Sequence, residues 1–441
     1  MNDKIVMPLW TSCLFIVVMN TTMFNVSLPS IIGDLSISAD LGSWIISSYS
    51  IGYALSTVIY SRLSDLLPLR RLLCVGLVTL GLASVFGLFA HDFRMLLATR
   101  ILQSAGAGVM AGLGLVMASR YIPAERRGQA IAMISAGSAM AFGLGPIVGG
   151  LISEYFGWNG LFAITCLVLA VLPVLFRLLP AEPVRPGRFD TFGAVLTVVN
   201  AAALLVAITA KSLPWLAVGV LSIALHLWHL KRADTTFIHA DMLRMPAYRK
   251  LVAVGFCILV LNLGNLFLMP LALSNLFHQS PLKIGMMIAP GALLSAFMTR
   301  FVGRWIDRYG NLRFLLAGHV LLAVVLALFA LDLSASPAVI MIGYLLFSPA
   351  FSATMASLNN EATMILPGAR IGSGMGLLQL IQFFGGSVSV AVCGMLLHTY
   401  SRMGPAQSYQ HVYLVLLLVS ACSLAVVVAY LRSGRRNVSR A

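Results

Sequence analysis

The sequence predicts an all-α integral membrane protein: two six-helix bundles plus two inserted helices, fourteen transmembrane helices in all. Three observations carry this. Of its 441 residues, 59% are hydrophobic and only 10% charged, against about 25% charged in a soluble globular chain. Apolar runs of about 20 residues, the length that crosses a bilayer, recur from end to end. A polar segment also occurs twice: Ser61-Arg-Leu-Ser-Asp-Leu-Leu-Pro-Leu-Arg-Arg71 returns 242 residues later as Gly303-Arg-Trp-Ile-Asp-Arg-Tyr-Gly-Asn-Leu-Arg313. Arg62 then matches Arg304, Asp65 matches Asp307 and Arg71 matches Arg313. A charged loop repeated in two hydrophobic halves marks a duplicated membrane protein. In each copy the carboxylate sits at a membrane edge, where arginines and a helix N-terminus can pair with it.

The first six spans fall near residues 7–28, 42–60, 72–90, 95–117, 130–153 and 158–179. The first is too long for a signal-peptide core and reads as a retained helix. After the polar link Ala181-Glu-Pro-Val-Arg-Pro-Gly-Arg188 come two spans near 190–210 and 213–230, then the longest polar segment, Lys231 to Lys250. The last six fall near 251–273, 283–302, 312–331, 338–358, 371–396 and 411–431. The domains expected are therefore an N-terminal bundle (1–180), a linker with the extra pair (181–250) and a C-terminal bundle with its tail (251–441).

Charge sets the orientation. If the N-terminus is cytoplasmic, the outer connections hold only Arg94, Lys211, Lys283 and Arg402 among the basic residues, and Arg100 lies within a span. All the others fall on the inner side, so both termini are cytoplasmic and the number of spans is even. The net charge of +15 thus belongs to short loops facing a bilayer, which argues against nucleic acid as a partner. Cys13, Cys74, Cys166, Cys257, Cys393 and Cys422 all lie in apolar runs and read as packing residues.

Arg100, inside the fourth span, is the most informative single residue. An arginine at mid-helix costs about 2.5–3.5 kcal/mol on insertion scales, so it faces a partner or a wet cavity, or else snorkels to the outer interface. Gln103, one turn on, extends the same polar face. In the fifth span, Gly143, Gly145, Gly149 and Gly150 allow a second helix to approach closely and Pro146 bends the axis. Close packing alone would explain the glycines; a bend around which halves rock is the functional reading. Polar residues at helical spacing give the candidate substrate cavity: Asn20, Thr21 and Asn25 in the first span, Tyr49 and Tyr53 in the second, Asn262 and Asn265 in the ninth, Gln379 and Gln382 in the thirteenth. Each could equally make interhelical hydrogen bonds. No carboxylate lies plainly at mid-span, and His226, His229 and His319 read as packed or interfacial. No phosphate loop, nucleophile elbow or metal-ligand cluster is present, so the chain does not read as an enzyme and needs no cofactor or metal.

These motifs resemble the major facilitator superfamily. The two charged loops resemble its loop signature, Arg100-Ile-Leu-Gln-Ser-Ala-Gly its fourth-helix signature, and Gly143-Leu-Gly-Pro-Ile-Val-Gly-Gly its antiporter signature. Asn25-Val-Ser-Leu-Pro29, Arg120-Tyr-Ile-Pro and Arg127-Gly-Gln-Ala130 resemble the fourteen-helix drug:proton antiporters, especially the Gram-positive tetracycline exporters. The resemblance implies a monomeric exporter in a bacterial cytoplasmic membrane, exchanging amphipathic small molecules for protons by a rocker switch. Asp65, Arg62, Arg70 and Arg71 would latch the cytoplasmic face, with Asp307, Arg304 and Arg313 doing so in the second half. Asp65 would be the titrating acid and Arg100 its partner in the cycle.

The chain also departs from that pattern. Ser61, Pro68 and Ser104 stand where glycine is usual. Asn20 and Thr21 lie where many relatives have a first-helix carboxylate, and Gly385-Gly386 where tetracycline exporters have a late glutamate. With Arg100 the sole mid-span charge, the alternative is a dedicated exporter of one anionic or zwitterionic metabolite, for example a metallophore, or of a lipid.

Overall fold

The computed structural model describes residues 3–180, 182–184, 189–209, 212–232, 237, 242, 244–367 and 371–438. These form fourteen long helices and, among the described residues, no strand. In the first half they are α1 (Asp3–Asp34), α2 (Ala39–Leu63), α3 (Leu69–Leu88), α4 (Phe93–Tyr121), α5 (Ala124–Phe156) and α6 (Gly160–Leu178). The inserted pair is α7 (Thr191–Thr209) and α8 (Leu213–Arg232). Then follow α9 (Pro246–Phe277), α10 (Pro281–Tyr309), α11 (Asn311–Asp332), α12 (Pro337–Ile365), α13 (Ile371–Tyr400) and α14 (Pro405–Val438). Most run several residues beyond the apolar stretches that predict them, because a helix satisfies its own backbone and need not stop at the hydrocarbon edge.

Among the described residues, thirteen helices are long and apolar enough to cross a membrane; α2 is the exception. Its hydropathy is diluted by Ser43, Ser47, Ser48, Ser50, Ser56 and Thr57, all of them buried. These hydroxyls turn toward protein. Ser56 Oγ, for instance, donates to the Ser104 carbonyl of α4 at 2.7 Å. A helix enclosed in this way need not be lipophilic over its whole surface.

Small residues decide which helices meet. A Cβ on Gly108 would collide with Ser56 and the Thr57 backbone, and one on Gly112 with the Thr57 carbonyl oxygen, so α4 lies backbone to backbone on α2. Gly145 and Gly149 let α5 lie against Thr22 and Met23 of α1 in the same way. In the second half, Gly385 and Gly386 of α13 face Phe256 and Leu263 of α9, and Gly318 of α11 faces Thr354 of α12. The pairs α1–α5, α3–α4 and α3–α6 recur as α9–α13, α11–α12 and α11–α14, the internal repetition expected of a duplication.

The chain divides into two compact units, Met1–Phe237 with Ser280–Ala289, and Ile238–Gln279 with Pro290–Ala441. Within the first, the start of α10 rests on α5: Gly150 faces the Pro281 carbonyl, Gly285 faces that of Pro146, and Glu154 Oε2 accepts from Leu282 N at 2.9 Å. The inserted pair carries its own clasp. Asp190 accepts from the amides of Gly193 and Phe237 and lies 2.8 Å from His229 Nε2. Burial pushes its carboxyl up, but these hydrogen bonds and the nearby imidazole outweigh that and hold it below the usual carboxylate range.

Two outcomes are expected. Gly112→Leu should cost at least the 1–3 kcal/mol typical of overpacking, read as a lowered thermal unfolding midpoint in detergent. Because the Asp190 pKa is depressed on folding, its contribution is present above the unfolded value of about 3.9 and fades as pH falls through the folded value. The stability deficit of Asp190→Asn should therefore be clear at neutral pH and narrow below about pH 4.

Candidate functional site

Arg100 is buried, only 1% exposed, and does not snorkel to the outer interface. Its Nη1 donates to Asn20 Oδ1 at 2.5 Å and to Gln103 Oε1 at 2.9 Å, and its Nε to the Ile45 carbonyl at 3.4 Å. The guanidinium carbon lies 3.9 Å from the ring centroids of both Phe24 and Tyr49. Asn20 passes the network on to Thr165 at 2.6 Å, and Gln103 to Ser84 at 2.7 Å. One cation is thus held directly by α1, α2 and α4, with α6 and α3 joined through Asn20 and Gln103. Among the described residues, none of its partners is a carboxylate. Carbonyl oxygens solvate its protons and aromatic faces cover its planes, the arrangement that lets guanidinium, with its delocalised charge, be buried. Helical geometry makes this possible: Gln103 lies one turn from Arg100, and Phe24 one turn from Asn20.

The other cavity candidates separate. Tyr49 packs under Arg100, donates to the Val17 carbonyl at 3.4 Å and stacks on Tyr53, with Thr21 beside it. Asn25 is buried with neither amide atom partnered among the described residues. Asn265 accepts from Tyr413 of α14 at 3.0 Å, so it joins helices, while Asn262 is buried nearby on α9. Gln382 is buried and reaches Met355 Sδ at 3.7 Å, whereas Gln379 is exposed. The two glutamines therefore do not share an environment despite their spacing, because α13 is covered on only part of its circumference.

Asp65 and Arg70, of the first repeated loop, contact residues of other helices. Asp65 is bound by Arg120 at the end of α4, at 3.3 Å, and remains largely exposed. Arg120 also approaches Glu182 at 3.8 Å, and Glu182 Oε2 accepts from Leu69 N at the start of α3 at 2.9 Å. Arg70 instead stacks on Phe176 at 3.6 Å, and Arg71 is exposed. Asp65 and Arg100 thus belong to separate networks. In the second half, Arg304 lies 5.2 Å from the Phe301 ring and Arg313 is exposed, while the Asp307 side chain lies outside the described residues. The polar knot there is Glu361, which accepts from Asn311 at 3.0 Å and Tyr430 at 2.8 Å, with Asn360 donating to Asn311. Both knots secure the first residues of a helix after a repeated loop: Leu69 of α3, Asn311 of α11. The repeat alignment pairs those two positions, but which acid reaches them depends on helix packing that the sequence does not display. Gly143, Gly145, Pro146, Gly149 and Gly150 are all buried on α5.

Asn20→Leu removes an acceptor from a buried cation. It should lower stability by about 1.5–3 kcal/mol, the range for hydrogen bonds to charged groups, measured by thermal or denaturant unfolding in detergent. Asn20→Asp should restore it.

The sequence profile described as Major Facilitator Superfamily matches residues 10–390 and 251–440. The chain is 25% identical over 404 residues to the uncharacterized MFS-type transporter YcnB of Bacillus subtilis (strain 168), covering 89% of this chain and 85% of that one. It is also 25% identical over 397 residues to the multidrug resistance protein Stp of Mycobacterium tuberculosis (strain CDC 1551 / Oshkosh), covering 87% and 74%. A crystal structure of the peptide transporter POT in complex with sulfate superposes with a TM-score of 0.72 at 15% identity, covering 96% of this chain and 94% of the other; that likeness concerns the fold alone. With fourteen helices, a repeated loop and a profile match over nearly its whole length, the chain belongs to the Major Facilitator Superfamily and is a multi-pass membrane transporter.

Proposed function

We propose that the protein is a proton-coupled antiporter that exports amphipathic small molecules by rocker-switch alternating access. It would work as a monomer with fourteen spans and cytoplasmic termini in a bacterial cytoplasmic membrane. The observation that carries this reading is the Arg100 cluster: a desolvated charge is maintained at the junction of five helices, an expense a purely structural core avoids. The packing of Gly145, Gly149 and Gly150 beside Pro146 supports a bend in α5, and Stp, a multidrug resistance protein, supports export of drug-like cargo. In the inner network, Arg120 bridges Asp65 and Glu182, an arrangement that can exchange partners as helices move. One proton crossing 100 mV contributes about 2.3 kcal/mol, before any pH gradient.

One observation favours a narrower cargo. Arg100 has no carboxylate partner among the described residues, so the field in the first bundle is positive and suits an anionic or zwitterionic metabolite. Resistance assays separate the two readings: expression in a drug-sensitised host should broaden resistance under the first, whereas deletion should accumulate a single metabolite under the second.

Everted vesicles containing the protein should accumulate ethidium when a pH gradient is imposed and release it on addition of nigericin. Accumulation indifferent to nigericin would contradict proton coupling.

A further inference from the structure

A proton-driven cycle needs a group that can gain and lose a proton, and arginine does not do so at physiological pH. Among the described residues, His226 and His319 are the histidines, aspartates and glutamates buried as whole residues, and Asp190, whose side chain is also buried, is tied up in the clasp of the inserted pair. His226 belongs to the inserted pair and contacts Asn200 of α7 at 3.0 Å. His319 is completely buried in α11, inside the second unit.

Its hydrogen bonds define its proton inventory. Nδ1 lies 2.8 Å from the Leu315 carbonyl, which can only accept, so Nδ1 carries a hydrogen. Nε2 lies 2.9 Å from Ser423 Oγ of α14, and Ser423 is in turn hydrogen-bonded to Cys257 of α9. Of the elements packed around this site, α14 presents Cys422 as well as Ser423, α9 presents Cys257, and α12 presents Thr354 against Gly318. The nearest acid of α12 with a described position, Glu361, is engaged with Asn311 and Tyr430, and Asn311 begins α11 about 12 Å along the axis from His319 at 1.5 Å per residue.

We propose, resting on the proton-coupled reading above, that His319 is the site that carries the coupling proton, and that Ser423 and Cys257 relay its state to α14 and α9. With His319 neutral, the Ser423 hydroxyl donates to the Nε2 lone pair, leaving Ser423 Oγ to accept from the Cys257 thiol. When a proton from water binds Nε2, the new N–H donates to Ser423 Oγ. The serine hydrogen then turns to Cys257 Sγ, and the thiol hydrogen turns away. No bond other than Nε2–H forms, and loss of that proton restores the first arrangement. The relay is satisfied in both states with opposite polarity, so one proton changes the hydrogen bonding of three helices at once. A hydroxyl, which both donates and accepts, is the group this reversal requires.

The test uses the full chain in lipid nanodiscs with 15N-labelled histidine, the His319 signal being assigned by its loss in His319→Gln. The imidazole is expected to change protonation within a pH titration of the nanodiscs, with Ser423→Ala moving its midpoint. In everted vesicles, His319→Gln should lose at least about ten-fold of gradient-driven ethidium accumulation, a loss of about 1.4 kcal/mol in coupling, while downhill ethidium equilibration continues. A His319 signal that stays neutral throughout overturns the assignment. So does nigericin-sensitive accumulation at the wild-type level in His319→Gln, which would leave proton coupling intact but place it elsewhere. Nigericin-insensitive accumulation by the wild type would instead remove the coupling itself, and with it this role for His319.

Discussion

A guanidinium buried among neutral groups is the constraint on which the first bundle depends. Arg100 cannot shed its charge, and among the described residues no carboxylate meets it, so its solvation falls to Asn20, Gln103, the Ile45 carbonyl and two aromatic faces. Each of these must keep its place. Through Thr165 and Ser84 the requirement spreads to α6 and α3. Removing one acceptor from such a network leaves a charge short of solvation, a larger effect than losing an ordinary hydrogen bond.

Around that charge the packing is governed by contacts between backbones. Lipid supplies little hydrophobic drive for helix association, so close approach and interhelical hydrogen bonds must do it. Gly108 and Gly112 bring α4 onto α2, which positions Arg100 beside Ile45 and Tyr49; Gly145 and Gly149 bring α5 onto α1, which carries Asn20 and Phe24. The second unit uses the same device between α9 and α13 but holds no buried arginine among its described residues. Its buried ionisable centre is His319, whose two ring nitrogens meet a carbonyl and a hydroxyl. The halves thus share a plan and differ in chemistry, one carrying a permanent charge and the other a group that can be charged or neutral.

Much of the architecture was legible because hydropathy in a membrane protein is a one-dimensional signal: an apolar run of the right length has few alternatives to a helix. The sequence spacing likewise puts Gln103 beside Arg100. What it could not display was lateral neighbourhood. Arg120 and Glu182 lie far from Asp65 in the chain, and nothing local announces that they meet at the start of α3. Gln379 and Gln382 look equivalent by spacing yet differ in exposure, because coverage of a helix is set by its neighbours. The serines of α2 lower its hydropathy while serving as contacts with protein.

The most direct measurement compares Arg100→Ala with the wild type in two readouts on one preparation: the fraction of folded protein recovered in detergent, and pH-gradient-driven ethidium accumulation in vesicles. The variant should be recovered folded, and accumulation should be lost. Wild-type accumulation by Arg100→Ala would contradict this, since the charge would then be incidental to transport.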